Sequence, residues 1–204
     1  MNIRRKRLCL EPASLLESPH SQVSRLQSTL LKLARTQEEF LRAADSVTAT
    51  DWQRPPAPAA WCAAELVAHL CRVERGVLSY ADHVIGKPAL PVSFFGRLHL
   101  PIALVESRVV KGKAPESVLP ERASLAEKET MIAQLRGVRE RTLAFLEETH
   151  QRDLSAYCWR HPFLGRLNLY EWFTFIAAHQ IRHTKQLLEI GASLPKGVAS
   201  SQKQ

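Results

Sequence analysis

Apolar residues recur with helical spacing along most of the chain. Val23, Leu26, Leu30, Leu33, Phe40 and Leu41 fall on or near one stripe and predict a first helix over about 20–46. The proline-rich run RPPAPAA, residues 54–60, cannot continue it. A second helix is expected from about Trp61 to Ile85, stopping at Gly86 and Pro88. A third is predicted from SLAE, where Ser124 and Glu127 have capping-box spacing, to about His150. The fourth begins at NLYE, with Asn168 as cap and Glu171 three residues on, and is expected to end at Gly191 ahead of Pro195. Residues 86–123 form a long connection that holds FFGRLHLPIALVESR, a candidate short helix, and the loop GKAPESVLPE. The pattern predicts an all-α fold, a four-helix bundle with a long crossover between the second and third helices. The expected boundaries are a mobile arm over residues 1–19, the bundle over 20–192 and a mobile tail over 193–204.

The inward seams of two helices are interrupted by histidine. On the fourth helix, steps of three and four select Leu169, Trp172, Ile176, His179, His183, Gln186 and Ile190. On the second, the same steps select Cys62, Leu66, His69, Val73, Gly76 and Tyr80. Two facing helices would bring three imidazoles into one apolar interior. A buried polar group left without a partner costs about 1 to 3 kcal/mol, so three together need partners. Periodicity leaves two readings open: hydrogen-bonded core histidines, or a divalent metal with free coordination positions. The pair His179 and His183 has the spacing of the zinc-protease helix H-E-x-x-H. Gln180 stands where that motif has its glutamate, and an amide cannot act as the general base. Replacing Gln180 by alanine is therefore expected to cost the chemistry little.

Composition narrows the class. At 204 residues and 45% apolar content, one domain with a well-buried core is expected, and the 8 glycines favour long helices over a turn-rich β fold. No apolar run approaches the roughly 18 residues of a membrane span. The basic start MNIRRKRLCLEP has its apolar stretch cut off by Glu11 and Pro12, so no signal peptide and a cytoplasmic location are expected. Cys9, Cys62, Cys71 and Cys158 show no C-x-x-C spacing and are expected to be reduced thiols. The net charge of +8 raises nucleic-acid binding, but the excess is dispersed over residues 4–7, 97–113 and the last forty or so. Such a distribution gives weak, salt-sensitive contact without sequence preference, not specific recognition.

WCAAELVAHLCRVE, residues 61–74, resembles the Trp-x-x-x-Glu-x-x-x-His helix of the DinB-like superfamily of metal-binding four-helix bundles. HPFLGRLNLYEWFTFIAAHQIRHTKQL, residues 161–187, resembles that superfamily's second signature, a His-Pro-x-x-Gly turn leading into His-x-x-x-His-x-x-Gln-Leu. The resemblance covers roughly residues 20–192. It implies one divalent metal, typically zinc or nickel, held by His69, His179 and His183. One departure is Cys62, where the superfamily often has a capping serine or threonine, although Glu65 is kept. Glu65 has two readings, a capping side chain for the second helix or a carboxylate that orients His69 or a metal-bound group during catalysis. Trp61 and Trp172 read as core aromatics, Cys62 as packing, His161 as a brace for the turn, and Arg182 as either a solvated charge or an anion contact. His20, His83, His99 and His150 have no matching partner.

The resemblance further implies a metal-dependent enzyme acting on a small molecule, either a transferase using a low-molecular-weight thiol or a hydrolase, with thiol transfer ahead. A non-enzymatic metal-binding or stress-response protein is the alternative, and non-specific nucleic-acid binding a weaker one. A homodimer is expected because two-fold dimers are the commonest oligomers and small bundles often expose an apolar face.

Overall fold

In a computed structural model the described residues are 19–89, 100–107, 115–120, 122 and 125–194. They are mostly helical. In chain order they form α1 (Pro19–Ala44), α2 (Ala63–Ile85), the four-residue α3 (Ala103–Glu106), a 3₁₀ turn (Glu116–Val118) and α4 (Lys128–Glu148). A second 3₁₀ turn (Leu154–Ala156) leads into β1 (Cys158–His161), β2 (Gly165–Asn168) and α5 (Leu169–Ser193). The expected arm and tail lie outside the described residues except at their inner ends: Pro19 opens α1, Ser193 closes α5, and Leu194 is buried. Among the described residues no helix is long and apolar enough to cross a membrane.

α5 starts as its sequence predicts. Asn168 Oδ1 accepts from the Glu171 amide at 3.0 Å, and Glu171 Oε2 accepts from the Asn168 amide at 2.8 Å. Other ends differ from expectation. α1 stops at Ala44 and α2 begins at Ala63, each shorter than its apolar pattern. α4 begins at Lys128 with Glu127 in the cap position, so helix starts past the expected SLAE box, whose Ser124 lies outside the described residues. Gly191 does not end α5, which continues to Ser193. The glycine serves close packing instead: a Cβ there would sit 2.7 Å from Ser46 Oγ, just beyond the end of α1.

α1 packs mainly on α5, and α2 on α4 and α5. Thr36 meets Gln180 and, further along both, Ser46 meets Gly191, so α1 and α5 run in the same direction. Two apolar clusters fill the interior. One gathers Phe40, Leu66, Leu70, Leu135, Leu187 and Ile190; the other gathers Leu33, Val77, Ala81, Phe145, Phe173 and Ile176. Each large apolar side chain so buried contributes about 1.5 to 3 kcal/mol. The predicted seams need correction at their ends. Val23 of α1 and Tyr80 of α2 are exposed, and α2 buries Leu70, Glu74, Val77 and Ala81 in place of Val73, Gly76 and Tyr80. A straight helix turns every 3.6 residues, so a 3.5-residue seam drifts off the core within a few turns.

The short hairpin before α5 was not predicted. Its strands pair antiparallel, with Cys158 opposite Asn168 and His161 opposite Gly165. Gly165 has φ 100°, a conformation that favours glycine, and it lets the chain turn back after Pro162. β2 runs directly into α5, with Asn168 ending the strand and capping the helix.

Candidate metal centre

α2 and α5 bring three imidazole nitrogens together. His69 Nε2 lies 3.2 Å from His179 Nε2, and His183 Nε2 lies 3.1 Å from the same atom. One ligand nitrogen from each of the three residues falls within 4.8 Å of the others, an arrangement that can hold a metal ion. His179 and His183 share a helix face because they are one turn apart, with ring centroids 4.5 Å apart and nearly perpendicular. His69 approaches from α2, its centroid 5.0 Å from that of His179 and 5.1 Å from that of His183. Trp61 covers the cluster from just ahead of α2, 5.0 Å from His69, while Phe175 stacks on His179 at 5.4 Å. His69 and His183 are buried; His179 keeps partial exposure.

The far sides of two rings are fixed by acceptors. His69 Nδ1 lies 2.7 Å from the Val118 carbonyl oxygen, which can only accept, so His69 carries its proton on Nδ1 and presents a lone pair at Nε2. His183 Nδ1 faces Gln186 Oε1 at 3.1 Å and is fixed in the same sense. His179 Nε2 thus stands between two lone pairs and can supply at most one proton. Neutral imidazoles leave one short N···N contact without a hydrogen between its atoms. Protonating the cluster is disfavoured too. Burial pushes His69 below its ordinary value. His179 lies well below its own, first through burial and then through the neighbouring charges of His183, His69 and Arg182. A shared cation resolves the conflict. Two nitrogens at about 2.0–2.1 Å from a tetrahedral ion lie about 3.3 Å apart, close to the two short separations here. The donor set therefore fits a divalent metal.

A family model described as the DinB superfamily matches residues 32–187. The chain belongs to the DinB superfamily. No curated protein and no solved structure matches it. The DinB match takes in all three histidines and runs from within α1 to within α5.

Around this DinB centre the other singled-out residues take definite places. Glu65 caps α2: its Oε2 accepts from the Cys62 amide at 2.9 Å, and its Oε1 accepts from Arg122 Nε at 2.7 Å. Burial alone would raise its pKa, but hydrogen bonds from Arg122 and the Cys62 amide outweigh that and hold it below the ordinary carboxylate value. Glu65 thus ties α2 to the connection that carries Val118, and Arg72 strengthens the tie by donating to the Leu119 carbonyl at 3.2 Å. Cys62 is buried, and burial first of all raises its pKa, keeping the thiol protonated. Arg182 donates to the Ser107 carbonyl while Lys185 reaches the Glu106 carbonyl at 2.9 Å, so both basic groups hold the end of α3 against α5. Trp172 is buried and stacks on Trp159 at 4.7 Å.

Of the remaining histidines, His161 closes the hairpin turn, its Nδ1 accepting from the Phe163 and Leu164 amides at 3.1 Å each. His83 pairs with Lys87, His150 with the Glu147 carbonyl, and His20 is exposed; His99 lies outside the described residues. Gln180 has work that its motif position did not reveal. It is buried, and its Oε1 accepts from Arg139 Nη2 at 2.9 Å and faces Thr36 Oγ1 at 3.2 Å. Sequence reasoning passed over Arg139 and its partner Glu74, two ordinary charges far apart in the chain. The only available signal was Glu74 at a position where α2 needs a buried residue.

Proposed function

We propose that the chain is a metal-dependent enzyme acting on a small molecule, with one divalent ion, zinc or nickel, held by His69, His179 and His183. The observation that carries this reading is the convergence of three imidazole Nε2 atoms for which no neutral proton arrangement satisfies both short contacts. An ion at that point supplies positive charge that lowers the pKa of a thiol or a water molecule. The chain's own contribution is orientation of the ligands and an aromatic surround. The Val118 carbonyl and Gln186 aim His69 and His183, while Trp61 and Phe175 wall the cluster. Thiol transfer with a low-molecular-weight thiol is placed ahead of hydrolysis because of the family resemblance; a fold does not by itself fix a chemistry.

Glu65 is proposed as a positioning residue, since its bonds hold the segment whose Val118 carbonyl orients His69. The helix directions support a four-helix bundle over residues 20–192 formed by α1, α2, α4 and α5, with the connection between α2 and α4 as a crossover. α2 and α4 enter the same two apolar clusters in the same order, so the chain must return along the bundle between them.

The test is turnover with and without a chelator. Several small thiols are combined with an electrophile, and ester and amide hydrolysis is followed in parallel. Chelator-sensitive turnover is expected. No turnover by metal-loaded protein with any of these substrates would favour a second reading, a metal-binding protein without catalysis. One observation favours that alternative: Glu65, the one carboxylate that the sequence offers for a catalytic role, has its oxygens engaged by the Cys62 amide and Arg122.

A further inference from the structure

One guanidinium joins all four long helices where the apolar interior is interrupted. Arg139 of α4 donates from Nε and Nη2 to the two carboxylate oxygens of Glu74 on α2, at 2.7 and 3.0 Å. Nη2 also reaches Gln180 Oε1 on α5 at 2.9 Å, and Nη1 bonds the Leu33 carbonyl of α1. Arg139 and Glu74 are only 2% and 3% exposed. On every long helix this layer lies between the two apolar clusters. Thr36 falls between Leu33 and Phe40, Glu74 between Cys71 and Val77, Arg139 between Val138 and Phe145, and Gln180 between Ala177 and Leu187.

Such a layer is a poor way to gain stability. A buried ion pair is often no better than apolar residues of similar volume. Gln180 adds a further cost. Its oxygen must face Arg139, which has only donors, so the amide cannot turn, and its buried Nε2 has no hydrogen-bond partner among the described residues. What the layer does supply is direction. Apolar contacts between α2 and α5 tolerate sliding and rotation, whereas a planar fork of donors accepts few geometries.

We propose that Arg139 is a positioning residue for the three-histidine centre, fixing α2 against α5 at the register that lets His69 share an ion with His179 and His183. The inference rests on the metal reading above. Gln180 lies between the two α5 histidines, and Glu74 lies five positions after His69, about 7.5 Å along the axis at 1.5 Å per residue. Both ends of the clasp are therefore within about a turn and a half of the ligands they register. A metal site needs its ligands held to within about 0.5 Å, and loss of groups that hydrogen-bond the ligands themselves typically costs about 10- to 100-fold in metal affinity, which sets the scale for a loss of register.

The experiment measures Co²⁺ affinity by competition with a chromophoric chelator and records the visible absorption of the bound ion. Wild type is compared with the double variant Glu74→Met/Arg139→Met, which removes both buried charges, and with Arg139→Lys, which keeps one charge but loses the fork. Folding is checked by circular dichroism and thermal unfolding. Both variants are expected to bind Co²⁺ at least about tenfold more weakly, with an altered absorption band, even where their unfolding midpoints match wild type. Affinity and spectrum equal to wild type in a folded variant would overturn the positioning role while leaving the metal site standing. If the double variant does not fold, Arg139→Lys decides alone. A wild-type chain that binds no Co²⁺ overturns the site and this inference together.

Discussion

His161 shows how one buried side chain couples the hairpin to pH. Its Nδ1 must stay unprotonated to accept from the Phe163 and Leu164 amides, and burial lowers its pKa to about 4 from the ordinary 6.5. Between those values the unfolded chain binds more protons than the folded one. Stability is therefore full above about pH 6.5 and falls as pH drops through the window toward 4. His161→Asn keeps an acceptor at the turn and removes the titration. In chelator, the urea midpoint of wild type is expected to fall more between pH 7 and pH 5 than that of the variant. Equal losses would show that His161 is not a source of the pH dependence. The three histidines that converge were legible at this scale because seam histidines on two helices are conspicuous against an apolar pattern. Arg139 was not, because nothing local distinguishes a charge that will be buried from one that stays in water, and Glu74 was marked only by sharing a stripe with Leu70, Val77 and Ala81.

Elements were legible where their signals are local. Asn168 and Glu171 lie three residues apart, and the reciprocal cap they predict is formed. Gly191 was misread because a glycine that ends a helix and one that permits close approach look alike in sequence. The hairpin went unseen because four-residue strands such as CWRH and GRLN are too short for an alternating pattern to stand out. The Gly191 contact has a measurable consequence. Alanine there should gain up to about 1 kcal/mol of helix propensity but meets Ser46 Oγ at 2.7 Å. Gly191→Ala is expected to stabilise the chain in a Ser46→Ala background and to lose most of that gain when Ser46 is present. Denaturant unfolding of the four chains in this cycle gives the coupling. Simple additivity would contradict a packing role for the glycine.

For the whole molecule, a homodimer is our proposal. Large apolar side chains such as Val23 and Leu31 on α1 and Leu104 on α3 are exposed, surface of the kind a second copy covers. Sedimentation at micromolar concentration is expected to give twice the mass of one chain, and a single-chain mass would count against it. The overall helical architecture was legible because helical periodicity persists over long segments. The depth at which the histidines meet was not, because it depends on helix register set by Glu74, Arg139 and Gln180 across three helices. We propose that this register creates one site for one divalent ion. Elemental analysis of purified wild type, His69→Ala, His179→Ala and His183→Ala, after loading and removal of excess metal, tests it most directly. The expected result is about one ion per wild-type chain and strong depletion in each variant. Full retention of metal in the folded variants, or none in wild type, would contradict the three-histidine site.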